Sequence, residues 1–165
     1  MPTKTITENE IWDLMREIHD PEIPVINVVE LGIVREVEII DGNPKVTITP
    51  TYSGCPAMDV IQVDIEKALH DEGFDEAEVV TILHPPWTTD WMTEEAREKL
   101  RDFGIAPPEK GTADKGALFQ KERKVQCPNC GSMNTELISP FGSTACKAQH
   151  RCKDCNDPFD YFKCL

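Results

Sequence analysis

The 165-residue chain lacks most of the signals that assign a protein to a class at once. Its N-terminus, MPTKTITENEIW, has no apolar core region, so no secretory signal is expected. No run approaches the ~20 apolar residues of a membrane helix, and a cytoplasmic protein with no membrane partner is expected. There is no P-loop, no G-x-G-x-x-G and no G-x-S-x-G, which removes the sequence grounds for nucleotide binding or serine-hydrolase chemistry. There is no Glu-x-x-His pair of the kind that builds a di-iron oxygenase centre in a helix bundle. Basic charge is also scarce. Lys and Arg number 17 against 30 Asp and Glu, a net charge of -13. The last 45 residues carry +2, so the first 120 carry -15. A surface of that sign repels phosphate backbones, so no nucleic-acid partner is expected for the larger part of the chain.

Cysteine, by contrast, is plentiful and unevenly placed. Six of the seven lie in the last 39 residues, and Cys55 stands alone. In a reducing compartment these are expected to be metal ligands or reactive thiols rather than disulfides.

Periodicity divides the chain into two folded parts. Thr7 with Glu10 forms a capping box before a helix whose Ile11, Leu14, Met15 and Ile18 share a face. The prolines of His19-Asp-Pro-Glu-Ile-Pro24 end it. Ile33–Ile40 and Val46–Thr49 read as strands of an antiparallel hairpin around Asp41-Gly-Asn-Pro44. A helix after Pro56 buries Ala57, Ile61, Ile65, Ala68 and Leu69 and stops at Gly73. Residues 77–83 read as a third strand. Residues 93–103 read as a third helix capped by Thr93 and ended by Gly104. The order α-β-β-α-β-α predicts a small two-layer α+β domain over residues 1–104, with a three-stranded sheet. Residues 105–124 read as a linker. Residues 125–165 form a cysteine-rich module with strands near 135–138, 145–151 and 158–163.

That module contains Cys127-Pro-Asn-Cys130 and Cys152-Lys-Asp-Cys155. Each C-x-x-C turn aims two sulfurs at one point, and Gly131 and Asn156 behind them tolerate the left-handed conformation such turns use. Two facing turns make a tetrahedral thiolate site that suits a structural Zn²⁺, with an iron–sulfur cluster as the rival occupant. A module of about 40 residues needs such a staple to fold. A closed site of four thiolates has no open position for catalysis. Cys146 and Cys164 fall outside the pairs, as buried small side chains or as auxiliary thiols.

Cys55 precedes Pro56, which suits the first turn of a helix. The thiol therefore sits at or near the N-cap, where amide hydrogens and the positive dipole end favour thiolate. The alternative is a space-filling core cysteine. In the proline-flanked loop, His19, Asp20 and Glu22 are candidate metal ligands, or Asp20 caps a turn before Pro21 and the rest is solvated loop. Trp87 and Trp91, in His84-Pro-Pro-Trp-Thr-Thr-Asp-Trp91, are either partner-facing anchors or core lids.

The HDPEIP segment, Ser53-Gly-Cys-Pro-Ala57 and the helix after it resemble the domain of SufT-like iron–sulfur assembly factors. Phe141-Gly-Ser-Thr-Ala-Cys-Lys-Ala148, the two cysteine pairs and Pro158-Phe-Asp-Tyr-Phe-Lys163 resemble the tail of the PaaD (PaaJ) family of phenylacetate-degradation proteins. The resemblance spans nearly the whole chain. It implies an α+β domain plus zinc ribbon, and an accessory role in maturing a phenylacetyl-CoA epoxidase complex rather than in oxygenation itself. It places the family's acidic loop on Asp20, Pro21 and Glu22, and its reactive cysteine on Cys55. The implied cargo is iron or a transient iron–sulfur cluster, and the implied client is the complex's iron–sulfur flavin reductase. Sharing a four-ligand cluster would call for a homodimer with two copies of Cys55. The alternatives are a non-catalytic scaffold of the epoxidase complex and a zinc-ribbon nucleic-acid binder, which the charge disfavours.

Overall fold

The structure, a computed structural model, describes residues 5–108 and 124–163. The chain forms two compact units, Met1–Trp87 and Thr88–Leu165. No helix among the described residues is long and apolar enough to cross a membrane.

The first unit opens with α1 (Glu8–Arg16), and its capping box forms as the sequence requires. The Glu10 N–H donates to Thr7 Oγ1 at 3.3 Å, and the Thr7 N–H donates to Glu10 Oε2 at 2.8 Å. Ile11 and Met15 are fully buried. Strands β1 (Val34–Ile40) and β2 (Asn43–Ile48) pair antiparallel around a two-residue turn. Asp41 and Gly42 both take positive φ, 50° and 85°, as a tight hairpin of this hand demands. Helix α2 (Ala57–Asp71) then carries the chain to β3 (Glu78–Thr81), which lies parallel to β2. A parallel neighbour cannot be reached by a hairpin, so α2 is the obligatory crossover. Its Ile61, Ile65 and Leu69 are fully buried, while Ala68 on the predicted face is half-buried.

The second unit holds a 3-10 turn (Thr89–Trp91), α3 (Glu94–Asp102) and a four-stranded sheet. Thr93 caps α3 by accepting the Ala96 N–H at 3.1 Å. The sheet runs β4 (Ile105–Ala106), β7 (Pro158–Phe162), β6 (Lys147–Cys152), β5 (Thr135–Ser139), with β4 parallel to β7 and the other pairs antiparallel. Ala106, Val125, Cys127, Ala148, Cys152, Phe159 and Tyr161 make its core.

The units divide differently from the sequence-based boundaries. The sequence places α3 in the first domain and residues 105–124 in a linker. Here α3 belongs to the second unit, and Ile105–Ala106 is a sheet strand. Arg97 is one contact that holds α3 within the second unit. It is 5% exposed, its Nη2 donates to the Thr89 carbonyl at 2.7 Å, and its Nη1 donates to the Pro108 carbonyl. One guanidinium thus ties the turn before α3 to the chain after β4. Residues 109–123, the rest of the predicted linker, lie outside the described residues.

Candidate functional site

Four thiols converge at one end of the ribbon sheet. The sulfurs of Cys127, Cys130, Cys152 and Cys155 all lie within 4.8 Å of one another. Cys127 and Cys155 are 3.8 Å apart, and Cys130 and Cys152 are 3.5 Å apart. Tetrahedral zinc with bonds of ~2.3 Å requires sulfur separations of ~3.8 Å, so the donor set fits that ion. The backbone explains the convergence. The Gly131 N–H donates to the Cys127 carbonyl, the Cys127 N–H to Ser132, and the Cys152 N–H to Asp157, each at 2.9 Å. Gly131 and Asn156 take positive φ, 75° and 63°, behind the second cysteine of each pair. Asp154 links the two turns: it accepts from the Ser132 hydroxyl, and from Asn134 Nδ2 at 2.7 Å.

The electrostatics of these thiols call for a cation. The Cys155 N–H, with the Asp154 N–H and the sulfurs of Cys130 and Cys155, holds Cys152 down to about 7 against burial. Cys130 is pushed up to about 12. The Ser132 N–H lowers it, but Cys152, burial, Cys155 and Cys127 together outweigh that pull. Crowded thiols do not ionise together unless a positive charge compensates them, and a bound dication supplies it.

Cys55 lies in the first unit, on the connection from β2 to α2. Pro56 occupies the cap position of α2, and no side chain caps the helix. The Cys55 carbonyl accepts the Met58 N–H at 3.1 Å, and the cysteine lies one residue before the cap, near the helix start. Ser53 and Gly54 are exposed, whereas Cys55 itself is 9% exposed. Gly54 has φ 79°, a conformation that favours glycine beside the thiol.

The acidic loop is ordered from within. Asp20 is buried, and its Oδ1 accepts the N–H groups of Glu22 at 2.7 Å and Ile23 at 3.0 Å. Asp20 therefore caps a turn, the second of the two roles its sequence allows. Glu22 is half-buried. Among the described residues, only the four ribbon thiols form a group of three or more His, Cys, Asp or Glu ligand atoms suited to one metal ion. Cys55, Asp20 and Glu22 do not form such a group in this conformation. Sequence reasoning missed the next turn of the same loop. Asn27 Oδ1 accepts from the Val29 and Glu30 N–H groups, and Glu30 Oε2 accepts from the Asn27 N–H. The Asn27-Val-Val-Glu30 spacing of a capping box was the available signal.

Trp87 is a core residue, 4% exposed. Cys146 is buried, its sulfur 3.1 Å from Thr144 Oγ1. Cys164 lies outside the described residues.

An α+β unit with a thiol just before its crossover helix is followed by a four-thiolate ribbon of the kind that holds a metal ion. The comparisons specify this arrangement further. Residues 8–83 match the family described as "Iron-sulfur cluster assembly protein". Residues 111–163 match the "PaaD zinc beta ribbon domain". The Escherichia coli (strain K12) protein named as a subunit of a "Putative 1,2-phenylacetyl-CoA epoxidase" is 49% identical over 95% of this chain and 93% of its own length. An Fe-S protein maturation auxiliary factor of Porphyromonas gingivalis is 38% identical over 57% of this chain and 90% of its own. A solved domain of unknown function from Bacillus anthracis is 31% identical, with a TM-score of 0.52, over 56% of this chain and 90% of that one. The chain belongs to the PaaD family, in which a SufT-like iron–sulfur assembly domain is joined to a zinc ribbon.

Proposed function

We propose that this protein matures the phenylacetyl-CoA epoxidase complex by holding iron or an iron–sulfur cluster on Cys55 and passing it to a client subunit. The cluster is cargo, not a resident cofactor. One observation carries the proposal: Cys55 stands at the start of an uncapped crossover helix, inside the segment that matches the iron–sulfur assembly family. The partial positive charge of a helix start favours an anionic ligand set there. The 49% identity to an epoxidase subunit supports the choice of complex. Within it, the iron–sulfur flavin reductase is the proposed client, because it is the subunit that carries a cluster.

Asp20 and Glu22 are the proposed oxygen ligands. For Asp20 the role falls to Oδ2, since Oδ1 holds the turn. A cluster needs about four ligands, so a homodimer bringing two copies of Cys55 together is the proposed holding state. Zn²⁺ held by Cys127, Cys130, Cys152 and Cys155 is structural in this proposal and locks the ribbon strands. The protein acts in the cytoplasm as an accessory factor and does not perform the oxygenation.

Anaerobic reconstitution of the wild type and Cys55→Ser tests this directly. The wild type should take up iron and sulfide beyond its zinc, and the variant should take up less than a third as much. Equal uptake removes Cys55 from the mechanism. The burial of Cys55 favours a second function, a scaffold of the epoxidase complex. Restored growth on phenylacetate by Cys55→Ala would select it.

A further inference from the structure

Within the second unit, α3 and the ribbon sheet border a cavity of about 340 Å³. That volume lies at the lower end of the range for small-molecule sites, about 300–1,000 Å³. One wall is apolar, made by Ala106, Pro107, Pro108, Val125 and Pro128. Four charged side chains also line it. Glu94, Arg97 and Arg101 come from one stripe of α3, and Lys124 comes from the start of the ribbon. Glu94 Oε1 lies 3.6 Å from Arg97 Nε, so those two charges offset each other. Arg101 and Lys124 are exposed and have no ion-pair partner among the described residues. No other acid among the described residues lines the cavity. On α3, Glu95 is paired with Lys99 at 3.8 Å. On β7, Asp160 alternates to the sheet face opposite its neighbour Tyr161. The charge left over at the cavity is therefore positive.

A second observation points to a ligand. Tyr161 is only 8% exposed and lines the same cavity. Its ring packs edge-on against His150, with centroids 5.7 Å apart, but its hydroxyl has no hydrogen-bond partner among the described residues. Folded proteins seldom bury a hydroxyl without a partner, because the unpaired group keeps its full desolvation penalty. Arg101 alone would be explained by its place in the last turn of α3, where a cation offsets the helix dipole. Lys124 and Tyr161 lie on other elements and have no such role.

We propose that this cavity binds a small organic anion, a carboxylate or phosphate on an apolar body. Arg101 and Lys124 hold the charge, the Tyr161 hydroxyl donates to it, and the proline-rich wall takes the apolar part. Two unpaired cations select an anion, and the wall selects an organic one over a bare inorganic ion. The cavity belongs to the second unit, and Cys55, Asp20 and Glu22 belong to the first, so the site stands whether or not Cys55 carries iron.

Calorimetric titration of the full-length protein tests the site. The probes are benzoate and phenyl phosphate, with acetate, inorganic phosphate and benzyl alcohol as their fragments. The wild type should bind at least one aromatic anion saturably, tenfold or more tightly than its inorganic or aliphatic counterpart and than benzyl alcohol. Binding should weaken at high salt. Preference for phenyl phosphate assigns a phosphate site and preference for benzoate a carboxylate site, and either supports the proposal. Tyr161→Phe keeps the ring and should weaken binding severalfold. Arg101→Gln/Lys124→Gln should weaken it at least tenfold. The control Arg16→Gln/Lys67→Gln, which removes the same charge from the first unit, should bind as the wild type does. Zinc content and near-UV circular dichroism establish that each variant is folded, and Lys124→Gln alone replaces the cavity pair if that pair loses zinc. Absence of saturable binding of both aromatic anions by the wild type overturns the site. So does benzyl alcohol binding as tightly as the anions, or inorganic phosphate as tightly as phenyl phosphate. Unchanged binding in Tyr161→Phe and the cavity pair, or equal weakening in the control pair, overturns the placement of the ligand in this cavity.

Discussion

The indole N–H of Trp87 donates to the backbone carbonyl of Leu31 at 2.9 Å, across 56 positions of sequence. Both residues are buried, so this bond fastens the last residue of the first unit to the turn that follows the acidic loop. Trp87→Phe keeps most of the apolar contact and leaves a buried acceptor without its donor. It should lower stability by about 1–2 kcal/mol. Trp87→Ala should cost about 3–5 kcal/mol, because a cavity is added to the loss. Urea denaturation of the three proteins checks the order.

The two roles of Asp20 separate on substitution. Asp20→Asn keeps an acceptor at Oδ1 for the N–H groups of Glu22 and Ile23 and removes the carboxylate charge. Its melting temperature should lie within a few degrees of the wild type, and its iron uptake should fall severalfold. Asp20→Ala removes the cap as well and should cost about 1 kcal/mol or more. If Asp20→Asn takes up iron like the wild type, the carboxylate only holds the turn.

Cys55→Ala should fold as the wild type does. The side chain is small, and its backbone carbonyl, which accepts the Met58 N–H, remains. Destabilisation should stay below about 1.5 kcal/mol, a typical cost for deleting one small buried group. Iron uptake should be lost in the same protein. A paired measurement of melting temperature and iron content checks both outcomes together.

Removal of zinc should unfold the ribbon and spare the first unit. A strong chelator, or Cys130→Ser, should abolish the signal from Phe159 and Tyr161 in the ribbon core while leaving the far-UV helical signal of α1 and α2. Because the ligands bind metal as thiolates, loading releases protons and retention should weaken as pH falls. Zinc content after dialysis across a pH series, measured alongside near-UV circular dichroism, checks this.

The parts of the fold visible in the sequence were those set by short-range chemistry. Thr7 and Glu10 announce a cap three residues apart, Asp41-Gly42 announces a tight turn, and Gly131 and Asn156 announce the left-handed step behind each cysteine pair. The division into units was not visible, because it follows from tertiary contacts, among them those of the buried Arg97 guanidinium. Arg97 reads as a solvated helix residue until its two carbonyl partners, Thr89 and Pro108, are brought around it. β4 was hidden for a similar reason: two residues before a Pro-Pro pair carry no strand periodicity, and their pairing partner lies more than fifty positions away. The candidate site divides along the same line. The ribbon thiols follow from local spacing and all four meet. Cys55 was placed at its helix start, but its burial and its separation from an acidic ligand group are outcomes of tertiary packing.

The parallel pairing of β2 with β3 also orders events in time. The outer edge of β2 has no neighbour until Glu78–Thr81 leaves the ribosome, and α2 has no sheet edge to span until then. During synthesis the Cys55 sulfur is thus present well before the packing that buries it. A nascent chain shorter than about eighty residues therefore holds Cys55 without the finished sheet that α2 spans.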